Sequence, residues 1–204
     1  MLIKTLPVGH LQTNCYIVTD ENTKKCAIID PGAETNTILN YIEENSLTPE
    51  VIFLTHGHFD HYGALYPLMN ELKIPGYIHK SDVTRSGGPH MLEDEGGLSH
   101  YAEGDIFKVG GLVFNIIETP GHSSGSVTII CEDALFTGDT LFRDSCGRTD
   151  LGGSMEVLLK SLKRLADLDG EFEVYPGHAE ATMLSRERSH NYYVRYATGE
   201  IQPE

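Results

Sequence analysis

Four side chains able to bind a metal ion fall within the six residues His56-Gly57-His58-Phe59-Asp60-His61. The apolar run Val51-Ile52-Phe53-Leu54 precedes them and reads as a buried strand. Tyr62, Leu65, Leu68, Met69 and Leu72 follow at helical spacing, which predicts a helix over 61–73 beginning near Asp60. The hexapeptide is therefore a strand-to-helix corner. On extended chain, residues two apart point the same way, so His56 and His58 aim at one point. Past the turn, Asp60 and His61 aim at a second point nearby. Gly57 allows a tight turn between the two imidazoles. Imidazole and carboxylate without thiolate suit zinc, iron or manganese.

Three more corners end strands in the same manner: Thr119-Pro120-Gly121-His122, Thr137-Gly138-Asp139 and Tyr175-Pro176-Gly177-His178. In each a glycine precedes the polar residue and lets the chain turn sharply. A single such corner is usually only a turn. Together with HxHxDH they supply five histidines and two aspartates, all at strand ends. Two four-coordinate metals require eight ligand positions, which seven side chains provide if one carboxylate bridges.

The elements around these corners can be read in order. Residues 2–6, 15–19 and 26–30 read as short strands, the last stopped by Pro31-Gly32. Ile38, Leu39, Ile42 and Leu47 suggest one face of a helix capped by Thr35 or Asn36. Tyr77-Ile78-His79 is a strand, and residues 81–105, rich in glycine and acid, read as a long surface loop able to cover a site. Strands are expected at 106–109, 112–117, 127–130, 134–137 and 172–175, and helices at 155–167 and 180–196. Strands then helices, twice over, predict two mixed sheets packed face to face with helices outside, in one domain spanning 1–204. No sequence repeat relates the halves.

Composition narrows the partners. Fifteen Lys+Arg against thirty Asp+Glu give a net charge of −15, which disfavours a nucleic-acid partner. No apolar run approaches the roughly 20 residues that span a bilayer, and the N-terminus lacks a signal-peptide pattern. Cys15, Cys26, Cys131 and Cys146 form no CxxC pair, so free thiols in the cytoplasm are expected. Oligomeric state is not legible.

With the corners in this order, the chain resembles the metallo-β-lactamase-fold hydrolase superfamily, and within it the short bacterial relatives of glyoxalase II. The likeness runs from Leu6-Pro7-Val8-Gly9 to the His178 corner. It implies an αββα sandwich with two divalent metals at one edge, zinc first and iron or manganese as alternatives. By motif, His56, His58 and His122 would bind one metal, Asp60, His61 and His178 the other, and Asp139 both. Cys146-Gly147-Arg148 matches the stretch where glyoxalase II sets a basic residue on its thiol substrate, making Arg148 the substrate-contact candidate. The tyrosine expected two residues later is Asp150, and Ala179-Glu180-Ala181 lacks the expected aromatic.

Two metals sharing a water lower its pKa toward about 7, so a hydroxide would attack without a Ser or Cys nucleophile. Asp60 is the carboxylate placed to orient that water or shuttle its proton, and no separate acid is evident. A thiol leaves readily as thiolate, whereas an amine needs protonation. Hydrolysis of a small-molecule thioester therefore asks least of this site. Lactonase activity would use the same metals. The rival of another class resembles the persulfide dioxygenases through residues 146–150, with one iron held by His56, His122 and Asp139.

Overall fold

The computed structural model describes residues 1–84, 92–93 and 96–202. Leu2–Val8, Thr13–Thr19, Lys25–Ile29, Thr48–Phe53, Gly76–His79 and Leu98–Tyr101 lie side by side in that order as one sheet. Its first pairings are antiparallel and its last three parallel. A second sheet runs Thr182–Met183, Glu173–Pro176, Ala134–Gly138, Val127–Cys131, Leu112–Glu118 and Ile106–Val109. There only Ala134–Gly138 with Glu173–Pro176 is parallel.

Alternation along the strands divides the apolar residues between separate layers. Tyr16, Val18, Ile29 and Phe53 of the first sheet meet Phe114, Ile116, Ile129 and Phe136 of the second in the central core. The opposite face of the first sheet, Ile17, Ile28 and Ile52, packs on helices α1 (Thr35–Glu44) and α3 (Leu65–Leu72) through Ile38, Ile42, Leu65 and Leu68. Leu135 and Val174 of the second sheet pack on α4 (Met155–Ala166) through Leu158, Leu162 and Leu165. The layers are helix, sheet, sheet, helix, as the sequence predicted. No helix among the described residues is long and apolar enough to cross a membrane. All four cysteines are unpaired.

Several expectations need correction. The helix over 61–73 is two pieces, α2 (Phe59–Tyr62) and α3, broken at Gly63-Ala64. The Ala64 N–H donates to the Pro31 carbonyl at 2.9 Å instead of continuing the helical ladder, so the turn after the third strand interrupts the helix. Neither Thr35 nor Asn36 caps α1. Glu34 does so in a left-handed conformation without a side-chain bond, and Leu47 lies beyond the helix.

The helix over 180–196 is a short strand, Thr182–Met183, followed by α5 (Leu184–His190) and α6 (Tyr192–Ala197). Buried Asn191 divides the two helices. Its Oδ1 accepts from the N–H groups of Tyr193 and Val194, a helix start that helical spacing alone does not reveal. The expected loop 81–105 contains the strand Leu98–Tyr101 and a short pairing of Val83–Thr84 with Leu92–Glu93. Its residues 85–91 and 94–95 lie outside the described residues. The buried Tyr101 hydroxyl donates to the Leu54 carbonyl, tying that strand to the chain just before His56.

Phe53 is fully buried where the sheets meet, with its ring against Phe107 and Phe114. Phe53→Ala should cost about 3–5 kcal/mol in chemical denaturation, at an unchanged denaturant m-value.

Candidate metal centre

The corners converge at one edge of the two sheets. His56 and His58 follow the strand Thr48–Phe53, and Asp60 and His61 sit in α2. His122 follows Leu112–Glu118, Asp139 follows Ala134–Gly138, and His178 follows Glu173–Pro176. Gly121 and Gly138 adopt positive φ of 136° and 48°, as the sharp turns require. Gly57 serves differently, since a Cβ there would lie 2.4 Å from the Asp82 carbonyl oxygen. All seven predicted side chains come together here. Arg148 stands at the rim.

Two ligand sets form. In the first, His122 Nε2 lies 2.8 Å from His58 Nδ1 and 3.2 Å from His56 Nε2. The other ring nitrogens fix the tautomers. His122 Nδ1 donates to the Arg148 carbonyl at 2.7 Å, leaving a lone pair on Nε2. Thr55 Oγ1 spends its proton on Asp30 Oδ2 at 2.6 Å, so at 3.1 Å it accepts from His56 Nδ1, again leaving Nε2 bare. The bare Nε2 atoms of His56 and His122, 3.2 Å apart, repel unless a proton or cation lies between them. A tetrahedral metal with nitrogen ligands at about 2.0–2.1 Å separates those ligands by about 3.3 Å, close to what is seen.

In the second set, Asp60 Oδ2 lies 3.2 Å from His178 Nε2 and 3.5 Å from His61 Nε2. His61 Nδ1 donates to Asp30 at 3.0 Å and His178 Nδ1 to the Leu11 carbonyl at 3.2 Å. Asp139 faces both sets. Its Oδ1 lies 3.5 Å from His61 Nε2, and its Oδ2 lies 3.5 Å from His122 Nε2 and 3.6 Å from His178 Nε2. The buried His61 Nε2 and Asp139 Oδ1 have no hydrogen-bond partner. Orphaned buried polar atoms are expensive, and a cation held by these histidines and aspartates would satisfy them. The donor set therefore fits metal.

Charge is divided unequally. Burial, reinforced by the neighbouring imidazoles, pushes His56 well below the usual histidine range. Burial and His122 bring His58 down to about 4. Burial would also lower His61, but Asp30, Asp139 and Asp60 outweigh it and raise that ring to about 9. Burial would raise Asp60, yet the His178 hydrogen bond, the His61 charge and the Thr13 hydroxyl hold it well below the carboxylate range. Asp60 is therefore an ionised acceptor at neutral pH.

The surrounding brace is mostly invisible in the sequence. Asp30 grips Thr55 and His61. Asp82, fully buried, accepts from the Gly57 and Gly125 N–H groups at 2.9 and 2.5 Å and from Ser123 Oγ at 2.5 Å. It thereby fastens the His58 corner to the His122 corner. Asn14 Nδ2 donates to the carbonyls of Pro176 and Ala179, clamping the His178 corner onto the first sheet. Asp30 carries a legible signal, because it too ends a strand before a Pro-Gly turn. Asp82 and Asn14 carry none.

A cavity of about 640 Å³ opens above the cluster. His58, Asp60, His122, Asp139 and His178 form its floor, and Leu11, Phe59, Phe142 and Leu151 its apolar sides. Arg148 does not extend a free cation into it. Its Nε and Nη2 donate to the two carboxylate oxygens of Asp150 at 2.6 and 2.5 Å.

The model of the metallo-beta-lactamase superfamily matches residues 8–178. The hydroxyacylglutathione hydrolase GloC of Haemophilus influenzae is 34% identical over 95% of this chain and 98% of its own length. Among solved structures, the B3 metallo-beta-lactamase BLEG-1 superposes with a TM-score of 0.84 at 32% identity, covering 95% of this chain and 99% of that one. ETHE1 from Myxococcus xanthus gives 0.83 at 29%, covering 100% and 93%. TTHA1623 in a di-iron-bound form gives 0.80 at 34%, covering 93% and 99%.

Two outcomes are expected. Asp30→Ala should weaken metal retention about 10- to 100-fold in both ligand sets, measured by competition with a chelator, because it frees His61 directly and His56 through Thr55. The second concerns pH. Below about 9, a cation reaching His61 must displace a proton, so affinity there falls as pH falls. His56 and His58 already lack that proton at neutral pH. Dialysis at successively lower pH between 8 and 6 should therefore empty the Asp60/His61/His178 set first, read by elemental analysis of wild type beside His61→Ala.

Proposed function

The chain belongs to the metallo-beta-lactamase superfamily, and from that premise we propose that it is a thioester hydrolase of the glyoxalase II type. His56, His58 and His122 would hold one divalent cation and Asp60, His61 and His178 a second, with Asp139 facing both sets. Zinc suits the nitrogen and oxygen donors, with iron or manganese as alternatives. Bound there, the metals supply Lewis acidity and an activated water as nucleophile.

The observation that carries the reading is that, among the described residues lining the cavity, no group outside the ligand set is placed as a general acid. Asp60 is ionised, fixed by Thr13 Oγ1 at 3.0 Å, and suited to orienting a water rather than protonating a leaving group. Cys146, the thiol on the wall, is pushed by burial up to about 11, so it is neither a nucleophile nor a ready acid at neutral pH. A cavity whose described lining offers no general acid outside the ligand set favours a leaving group that departs as an anion, which a thiolate does and an amine does not. The likeness to the hydroxyacylglutathione hydrolase GloC supports the same chemistry. The apolar sides of the cavity exclude water from the acyl group, and the braced corners hold the ligands at fixed separations.

One other reading has a specific observation behind it. His56, His122 and Asp139 alone make a two-histidine, one-carboxylate face, and the likeness to ETHE1 fits a mononuclear iron dioxygenase. Against it stands the second ligand set, which such a centre leaves unused.

Metal content and activity of the wild type separate the two readings, and Asp139→Ala tests the shared ligand. In a thioesterase with two cations, metal content should fall from about two to below one, and kcat/KM on thioesters should fall more than about a hundredfold. A single iron retained by wild type, together with oxygen uptake on a persulfide and no thioester hydrolysis, would assign the protein to the dioxygenases.

A further inference from the structure

Arg148 is the only lysine or arginine among the described residues that line the cavity. Its backbone is fixed, because its carbonyl accepts from His122 Nδ1 at 2.7 Å. The guanidinium is therefore rooted beside the metal cluster, in the lining of the cavity. One edge of the guanidinium, Nε and Nη2, donates to both oxygens of a single carboxylate, Asp150, two residues along the chain. The neighbouring Arg143 offers no substitute, since it pairs with Glu180 at 2.7 Å.

We infer that Asp150 sets the charge selectivity of this site, filling the fork at the Nε–Nη2 edge of Arg148 and neutralising its charge, so that the thiol half of the substrate carries no negative charge beside Arg148. The inference rests on the thioesterase reading for the identity of that half. The physical argument is one of exchange. Arg148 and Asp150 are 63% and 65% exposed, so the pair is weak and a substrate carboxylate can compete for the fork. Displaced Asp150 remains two residues away and, as an exposed carboxylate, is still ionised at neutral pH. An incoming anion at that edge thus exchanges one carboxylate for another, and at the other edge it meets a guanidinium already neutralised; either way it gains a like-charged neighbour, on a protein of net charge −15. A neutral group incurs neither cost. It also meets the apolar sides formed by Leu11, Phe59, Phe142 and Leu151.

The test uses metal-loaded, full-length protein and two unreactive thioethers that differ only in a carboxylate or a carboxamide on the thiol half. Calorimetry gives the ratio of their Kd values. Asp150→Asn, at an exposed position, keeps the shape and removes the charge. It should shift the ratio about fivefold toward the carboxylate, the size of one nearby charge in a watery setting. Adding Arg148→Gln to that variant should abolish the gain. An unchanged ratio in Asp150→Asn overturns the inference. So does an equal gain in the double variant, which would make the effect one of general charge rather than of the fork. Binding of neither thioether by wild type would overturn the placement of the thiol half at Arg148. The matching thioesters are assayed in parallel. If none is hydrolysed while the ratio still shifts, the thioesterase reading fails and the charge selectivity stands.

Discussion

Asp30 accepts three hydrogen bonds, from the Thr55 N–H at 2.7 Å, the Thr55 hydroxyl at 2.6 Å and His61 Nδ1 at 3.0 Å. Through the hydroxyl it also sets the tautomer of His56. One buried carboxylate thus orients an imidazole in each ligand set. It stands at the end of the third strand with φ of 50°, a left-handed conformation that a non-glycine residue adopts at a cost. The neighbouring strand feeds the His56 corner, and the parallel pairing of Lys25–Ile29 with Thr48–Phe53 brings the two strand ends level. Were that register to slip by one residue, Asp30 would face the wrong side of the sheet and both histidines would lose their anchor.

The same arrangement explains why so many ionisable groups can be buried together. Each ligand histidine except His58 donates its outward nitrogen to a fixed acceptor: Thr55, Asp30, the Arg148 carbonyl or the Leu11 carbonyl. Their inward nitrogens are left bare or facing carboxylates. The stability lost in assembling such a cluster must be recovered in the core, where Phe53, Phe114 and Phe136 are fully buried between the sheets. Rigid sheets with the site at their ends are a common division of labour: the strands carry the packing and the corners carry the chemistry.

The cavity shows how a family resemblance and a particular chain can part. The position of Arg148 follows from the His122 corner, because the same residue supplies the carbonyl that orients the ring. Its availability to a ligand depends instead on Asp150, a residue that the metal cluster does not constrain. Changes at such a position alter selectivity without disturbing the ligands.

How much could be read from the chain alone depended on whether the signal was local. HxHxDH, the three strand-end corners and the period-two strands are local patterns, and they specified seven side chains brought together at one edge of an αββα sandwich. The breaks at Gly63-Ala64 and Asn191 were hidden because the apolar spacing continues across them. They arise from bonds to Pro31, distant in sequence, and from the buried cap made by Asn191. Asp82 and Asn14 were illegible for the same reason, since they reach 25 to 165 residues along the chain to find their partners. The sequence by itself determined which atoms can bind metal and on which corners they sit. Only the tertiary structure decided which ring nitrogen faces inward and whether Arg148 is free, because both depend on hydrogen bonds that exist only once the chain has folded.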